Sequence, residues 1–181
     1  MDASYFRPGQ EKDADQEKTD ISNVSYFRGK SLNAEVPQNE FMQLFSQTIY
    51  DVLLSMVPDA YEVISVQSIA LFFEQSKGLN MSEIEYIIAV AFLQQFAYQH
   101  TNKRLQVLNK NNVGTILVIL AILAIKVCRI KKHENSYYAD IFGISTSVIN
   151  QSENVFMSII ENELWIENEV YTHLFGEATD Q

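Results

Sequence analysis

Residues Asn112 to Cys128 read NVGTILVILAILAIKVC, and this stretch decides the fold. Between Ile116 and Ile125 every side chain is apolar, so no face of a helix is left for water. A helix that is apolar on all sides is either a membrane span or the central helix of an all-α domain. The uninterrupted apolar part is well short of the roughly 20 residues that a span needs. We therefore predict a buried central helix with other helices packed around it, and a membrane-anchored protein is the alternative.

Helices are also predicted on the N-terminal side of this stretch. Apolar residues at three-and-four spacing indicate an amphipathic helix that begins near Asn39 and ends before Pro58. A short helix follows Ser65 and stops near residues 77–78. Ser82 and Glu85 have the spacing of a capping box, which predicts the start of a long helix that ends near residue 100.

The C-terminal side continues the same pattern. A short helical segment over residues 136–142 is ended by Gly143, and a further helix follows a cap at residues 145–147. Trp165 and Ile166 are expected to close the core, and one last short helix is predicted near residues 170–174. No segment shows the alternation that is typical of a strand, so the predicted fold class is all-α.

Composition sets the domain limits and excludes several classes of protein. Residues 1–37 are polar and predict a disordered tail, residues 38–175 one domain, and residues 176–181 a C-terminal tail.

A net charge of −10 argues against nucleic-acid binding, because phosphate contacts need clustered Lys and Arg. The one short basic cluster, residues 129–133, is interpreted as a helix end and loop. Cys128 is the single cysteine, so no internal disulfide or thiolate zinc site is expected, and its apolar setting predicts a core position. The N-terminus lacks an apolar signal segment, so a nuclear or cytoplasmic protein is expected.

The N-terminal tail carries one repeated element. Ser4-Tyr5-Phe6-Arg7 recurs as Ser25-Tyr26-Phe27-Arg28, and each copy is followed within two residues by Gly. An aromatic-basic tetrapeptide in a disordered tail is a candidate docking motif for a partner protein. A chance duplication in the tail is the alternative.

No arrangement of residues points to catalysis. The sequence has no glycine-rich phosphate loop after a strand, no Gly-x-Ser-x-Gly and no His-Glu-x-x-His. Its three histidines, His100, His133 and His173, are far apart and lie near helix ends or loops. We therefore expect a binding protein with no cofactor, metal or small-molecule substrate, and not an enzyme.

With the helices in place, residues 64–166 resemble a cyclin box, most closely that of the P- and U-type cyclins related to the yeast phosphate-pathway cyclins. Three blocks carry the resemblance: Ile64-Ser65-Val66 with Leu79 and Ser82; Ala124-Ile125-Lys126; and Asn135, Tyr138-Ala139, Phe142-Gly143-Ile144, Ile149-Asn150, Glu153 and Phe156. The third block is the most specific of the three.

The resemblance implies a five-helix bundle, preceded by an N-terminal packing helix, that binds a cyclin-dependent kinase and holds the kinase C helix in its active position. In this family a lysine at the end of the third box helix and a glutamate in the fifth grip the kinase backbone. They correspond by motif to Lys126 and Glu153. Val127 and Met157 are, by position, candidate apolar neighbours. The alternative is that Lys126 only extends to water and that Glu153 is an ordinary exposed charge.

The chain also departs from the family pattern. The family has a buried Arg–Asp pair between its first two box helices, whereas here the Arg position falls near Phe72 and the Asp-Arg segment reads Phe92-Leu93-Gln94-Gln95-Phe96. Val148 stands where the family has a glutamate, and the docking patch that cell-cycle cyclins use for Arg-x-Leu motifs is not recognisable. Two readings follow: a regulatory subunit that activates a cyclin-dependent kinase, or a cyclin-fold interaction scaffold without kinase activation.

Overall fold

The computed structural model describes residues 40–76, 78–105 and 107–161. In this part of the chain the regular structure is helical, with no strand. A short 3₁₀ turn covers Pro58–Glu62. The α-helices are α1 Glu40–Met56, α2 Val66–Gln75, α3 Glu83–Asn102, α4 Val113–Cys128, α5 Asn135–Phe142 and α6 Thr146–Ile159. The predicted all-α class is thus confirmed for the described residues. The predicted tails, the last short helix and the core role of Trp165 and Ile166 lie outside them.

Helix α4 is the centre of the domain, as its sequence predicts. All thirteen residues from Val113 to Ile125 are buried. Helix α3 and helix α6 pack directly against α4, while α1 packs on α2 and α3. Because α4 is apolar on every side, other elements must cover its whole circumference to keep it from water.

Local signals fix the ends of the surrounding helices. The Ser82 amide donates to Glu85 Oε2 at 2.8 Å and the Glu85 amide donates to Ser82 Oγ at 3.4 Å, so the predicted capping box is present. Ser145 caps α6 through a hydrogen bond from the Val148 amide at 3.2 Å. Gly143 follows α5 with a φ of 64°, a left-handed conformation in which a residue without Cβ avoids a steric penalty.

One detail differs from the sequence prediction, and it concerns the end of α4. The central helix ends at Cys128, and Arg129 is already extended. Cys128 is half-buried and not a core residue, because α4 has begun to emerge from the bundle at this point. Glu153 lies in the middle of α6.

Candidate protein-interaction site

Lys126 and Glu153, 27 positions apart in the sequence, form a direct ion pair. Lys126 lies in the last turn of α4, and its Nζ donates to Glu153 Oε1 at 2.6 Å and to Oε2 at 2.9 Å. The two side chains are only 21% and 16% exposed. The structure therefore brings together the two charged residues that the sequence singles out, at a partly buried position on the surface.

A third residue holds the carboxylate in place. Asn135, the first residue of α5, donates from Nδ2 to Glu153 Oε2 at 2.7 Å and to Asn150 Oδ1 at 2.7 Å. These bonds connect the ends of α4 and α5 to the middle of α6. The Asn135 and Asn150 positions belong to the sequence block that resembles the cyclin box, but their role as supports of Glu153 was not predicted.

The arrangement has hydrogen-bonding capacity that the contacts within the described residues do not use. An ammonium group has three donors, and Lys126 gives two of them to Glu153. A carboxylate has about four acceptor positions, and Glu153 uses three for Lys126 and Asn135. The pair can therefore donate to one carbonyl and accept from one amide N–H of a docked backbone while staying intact.

Exposed apolar side chains follow Lys126 along the chain. Val127 is 42% exposed, and Ile130 in the loop after α4 is fully exposed. Met157 lies one turn after Glu153 on α6, where it is half-buried and packs against the core. Val127 is thus exposed enough to contact a partner, whereas Met157 is only partly accessible.

A second ion pair near the end of α4 was missed in the sequence. The Arg129 guanidinium donates from Nε to Glu85 Oε1 at 2.6 Å and from Nη2 to Oε2 at 2.9 Å. It also donates to the carbonyl oxygens of Leu79 at 2.7 Å and Asn80 at 3.0 Å. Burial acts to raise the pKa of Glu85, but the hydrogen bonds from Arg129 and from the Ser82 amide outweigh burial and hold the pKa below its usual 4.5. A buried capping glutamate needs a cationic partner, but the burial of Glu85 arises only in the folded structure, so no signal in the sequence pointed to Arg129.

The positions where the family carries its buried Arg–Asp pair are apolar here and well packed. Phe72 and Phe92 are both buried, and the Phe72 ring stacks on Phe142 with centroids 5.6 Å apart. Replacing both members of a buried ion pair by packed apolar residues can be neutral for stability, whereas replacing one is not. The departure from the family pattern is therefore compatible with a stable core.

Three other sequence predictions concern the motif in the N-terminal tail, metal binding and membrane spans. The tandem motif with Tyr5, Phe6, Arg7, Tyr26, Phe27 and Arg28 lies outside the described residues. Among residues 40–76, 78–105 and 107–161, no group of three or more His, Cys, Asp or Glu side chains could hold a metal ion. In the same ranges, no helix is both long enough and apolar enough to cross a membrane.

Comparisons with known proteins give no independent identification. No protein-family model matches the chain, and neither the curated proteins nor the solved structures contain a match.

Proposed function

We propose that this protein is a single-box cyclin, a non-catalytic subunit that binds and activates a cyclin-dependent kinase. The observation that carries the proposal is the Lys126–Glu153 pair. Two residues chosen by motif, on separate helices, are joined by hydrogen bonds of 2.6 and 2.9 Å on a partly buried surface. The six-helix order supports the proposal as well, since α2 to α6 supply five helices and α1 precedes them.

The proposed contact uses hydrogen bonds for orientation and apolar burial for affinity. The remaining Nζ proton of Lys126 would donate to a kinase carbonyl, and Glu153 would accept from a kinase amide. Hydrogen bonds to charged groups are stronger than neutral ones, so this pair would fix the register of an inserted helix. Val127, beside Lys126 and 42% exposed, would supply apolar contact at the same place.

Activation would be conformational. A kinase needs its Lys–Glu pair and its active-site loop in place, and a partner that binds this state more tightly shifts the population toward it. The protein would contribute no catalytic group, which agrees with the absence of catalytic motifs from its sequence. A cyclin-fold scaffold would bind partners without this shift, so kinase activity separates the two readings.

The test is copurification of the tagged full chain from its native cells, followed by mass spectrometry and a kinase assay. Three forms are compared with wild type. Lys126→Ala/Glu153→Ala removes the pair, and Lys126→Glu/Glu153→Lys keeps an internal ion pair but reverses the charges shown to a partner. The matched control, Lys110→Ala/Glu62→Ala, removes an exposed ion pair of 2.7 Å elsewhere on the surface.

A cyclin-dependent kinase that copurifies with wild type and with the control, but is depleted in both Lys126/Glu153 forms, supports the function and the site. If the charge-reversed form retains the kinase, the proposed site is wrong, but the proposed function still stands. If no kinase copurifies with wild type, the kinase-activating function is wrong. If a kinase copurifies but its activity does not rise, the scaffold reading is favoured.

A further inference from the structure

An apolar groove lies on the opposite side of α6 from Glu153. Its walls are formed by Phe96 of α3, Ile116 and Ile119 of α4, and Val155 and Phe156 of α6, with Val107 at its rim. The groove has a volume of about 260 Å³. A second depression of about 460 Å³ shares Val107 and Val155 with it and continues along α6 to Ile159. Both volumes far exceed the roughly 30 Å³ that one water occupies, so large side chains can enter.

We propose that the chain's own residues Leu164–Ile166, with Trp165 at the centre, occupy this groove. This proposal does not rest on the proposed kinase function. Three observations favour this occupant over a separate partner: the position where the described chain ends, the length of chain that follows, and an unpartnered hydroxyl buried in the groove wall.

The described chain ends in a turn beside the second depression. Glu161 has a φ of 61°, so the chain turns directly after the helix. Lys103 Nζ pairs with Glu161 Oε1 at 2.8 Å and donates to the Ile159 carbonyl at 3.0 Å, which ties this turn to the end of α3. Lys103 and Ile159 also line the second depression, so the chain leaves the described region at the mouth of the groove.

The length of chain is sufficient. Val155 is six residues before Glu161, a rise of about 9 Å along a helix. Trp165 is four residues after Glu161, and four extended residues span up to about 13 Å. Leu164-Trp165-Ile166 is the first apolar run beyond Glu161, and it stands between acidic residues that would remain at the surface.

A hydroxyl buried in the groove wall matches the chemistry of tryptophan. Thr115 is buried, lines the groove, and its Oγ1 has no hydrogen-bond partner among the described residues. A buried hydroxyl without a partner is destabilising. The indole N–H of tryptophan is a donor only, and a buried indole requires an acceptor. Trp165 in the groove would satisfy both groups once the Thr115 side chain turns its hydroxyl toward the indole.

The test uses the intrinsic fluorescence of the full-length chain, because Trp165 is its single tryptophan. We expect the emission of the native protein to be blue-shifted from that of the urea-unfolded chain, with several-fold weaker quenching by acrylamide. Val155→Glu places a charge in the groove and should move emission and quenching toward the unfolded values. Val63→Glu is the matched control, because Val63 is 42% exposed, close to the 43% of Val155, and does not line the groove. The control should keep the wild-type fluorescence.

Strong quenching in the wild type, or a protected Trp165 that does not respond to Val155→Glu, would overturn the proposal. A second measurement covers a Val155→Glu protein that fails to fold. A photoreactive benzoylphenylalanine at position 107 should cross-link to a peptide containing Trp165 of the same chain. A cross-link to a second copy, or to any other segment, refutes docking within one chain.

Discussion

Removal of the Arg129 side chain is the most direct test of how this domain is held together at the end of α4. Arg129 makes two hydrogen bonds to Glu85 and two to the carbonyl oxygens of Leu79 and Asn80, at 2.6 to 3.0 Å. The Glu85 side chain is only 3% exposed. In Arg129→Ala, the Ser82 amide, at 2.8 Å, remains as a donor to this buried carboxylate.

The expected loss of stability follows from this geometry. Removing one partner of a buried ion pair costs about 3 to 5 kcal/mol, because the other charge is left buried without compensation. The Arg129 side chain is 32% exposed, so water can partly replace it, and we expect the lower end of that range. A loss of about 3 kcal/mol corresponds to a fall in Tm of about 6 to 12 °C for a protein of this size.

The assay is urea unfolding, followed by circular dichroism, of wild type, Arg129→Ala, Glu85→Ala and the double variant. The double variant should lose less than the sum of the single losses, by about 1 to 3 kcal/mol, because the two side chains interact directly. Arg129→Lys should also be destabilising, since an ammonium cannot reproduce the two-point contact. A free energy of unfolding of Arg129→Ala within about 0.5 kcal/mol of wild type, or additive single losses, would refute this reasoning.

The same variants have a defined pH dependence. The folded pKa of Glu85 lies below 4.5, so the stability that the pair contributes is present above pH 4.5 and is lost as the pH falls through the folded value. Without Arg129, burial would raise the pKa of Glu85. The deficit of Arg129→Ala should therefore be largest near neutral pH and shrink in acid. A deficit that is constant with pH would show that the charge of Glu85 is not the cause.

Three further predictions concern other parts of the domain. Lys126→Ala should cost about 1 to 2 kcal/mol in urea unfolding, and Lys126→Ala/Glu153→Ala should lose less than the sum of the two single losses; additive losses would mean that the ion pair is not formed in solution. Burial lowers the pKa of His100 below its usual 6.5, so stability should be constant above pH 6.5 and fall as the pH drops through the lower folded value, an effect that His100→Gln should abolish. Gly143→Ala should cost about 1 kcal/mol through its left-handed φ alone, whereas Gly78→Ala, with ordinary backbone and contacts, should cost less; equal losses would contradict a conformational cause.

What the sequence predicts well is local. The burial of α4 follows from a continuous apolar run, and the start of α3 follows from Ser82 and Glu85, three residues apart. The end of α5 follows from Gly143. Each of these signals lies within a few residues of its effect, so no knowledge of the tertiary structure is needed.

What the sequence does not predict depends on contacts between distant residues. Arg129 and Glu85 are 44 positions apart, and Glu85 already has a sufficient local role as a helix cap. Lys126 and Glu153 were singled out only through the family resemblance, and neither their direct ion pair nor its support by Asn135 was expected. Cys128 was placed in the core because periodicity cannot tell where an apolar helix leaves a bundle.

Helix α6 presents two surfaces that can be perturbed separately. Glu153 and Val155 are two positions apart, which is a rotation of about 200° on a helix, so Glu153 of the ion pair and Val155 of the groove face nearly opposite directions. A substitution in the groove should therefore change the fluorescence of Trp165 without releasing a kinase that binds, as proposed, at Lys126 and Glu153. Reversal of the charges of the ion pair should release the kinase and leave the fluorescence of Trp165 unchanged. If Val155→Glu also abolished kinase copurification while the fold was retained, the two surfaces would be coupled through the position of α6 on α4. Docking of the C-terminal segment would then be a condition for partner binding.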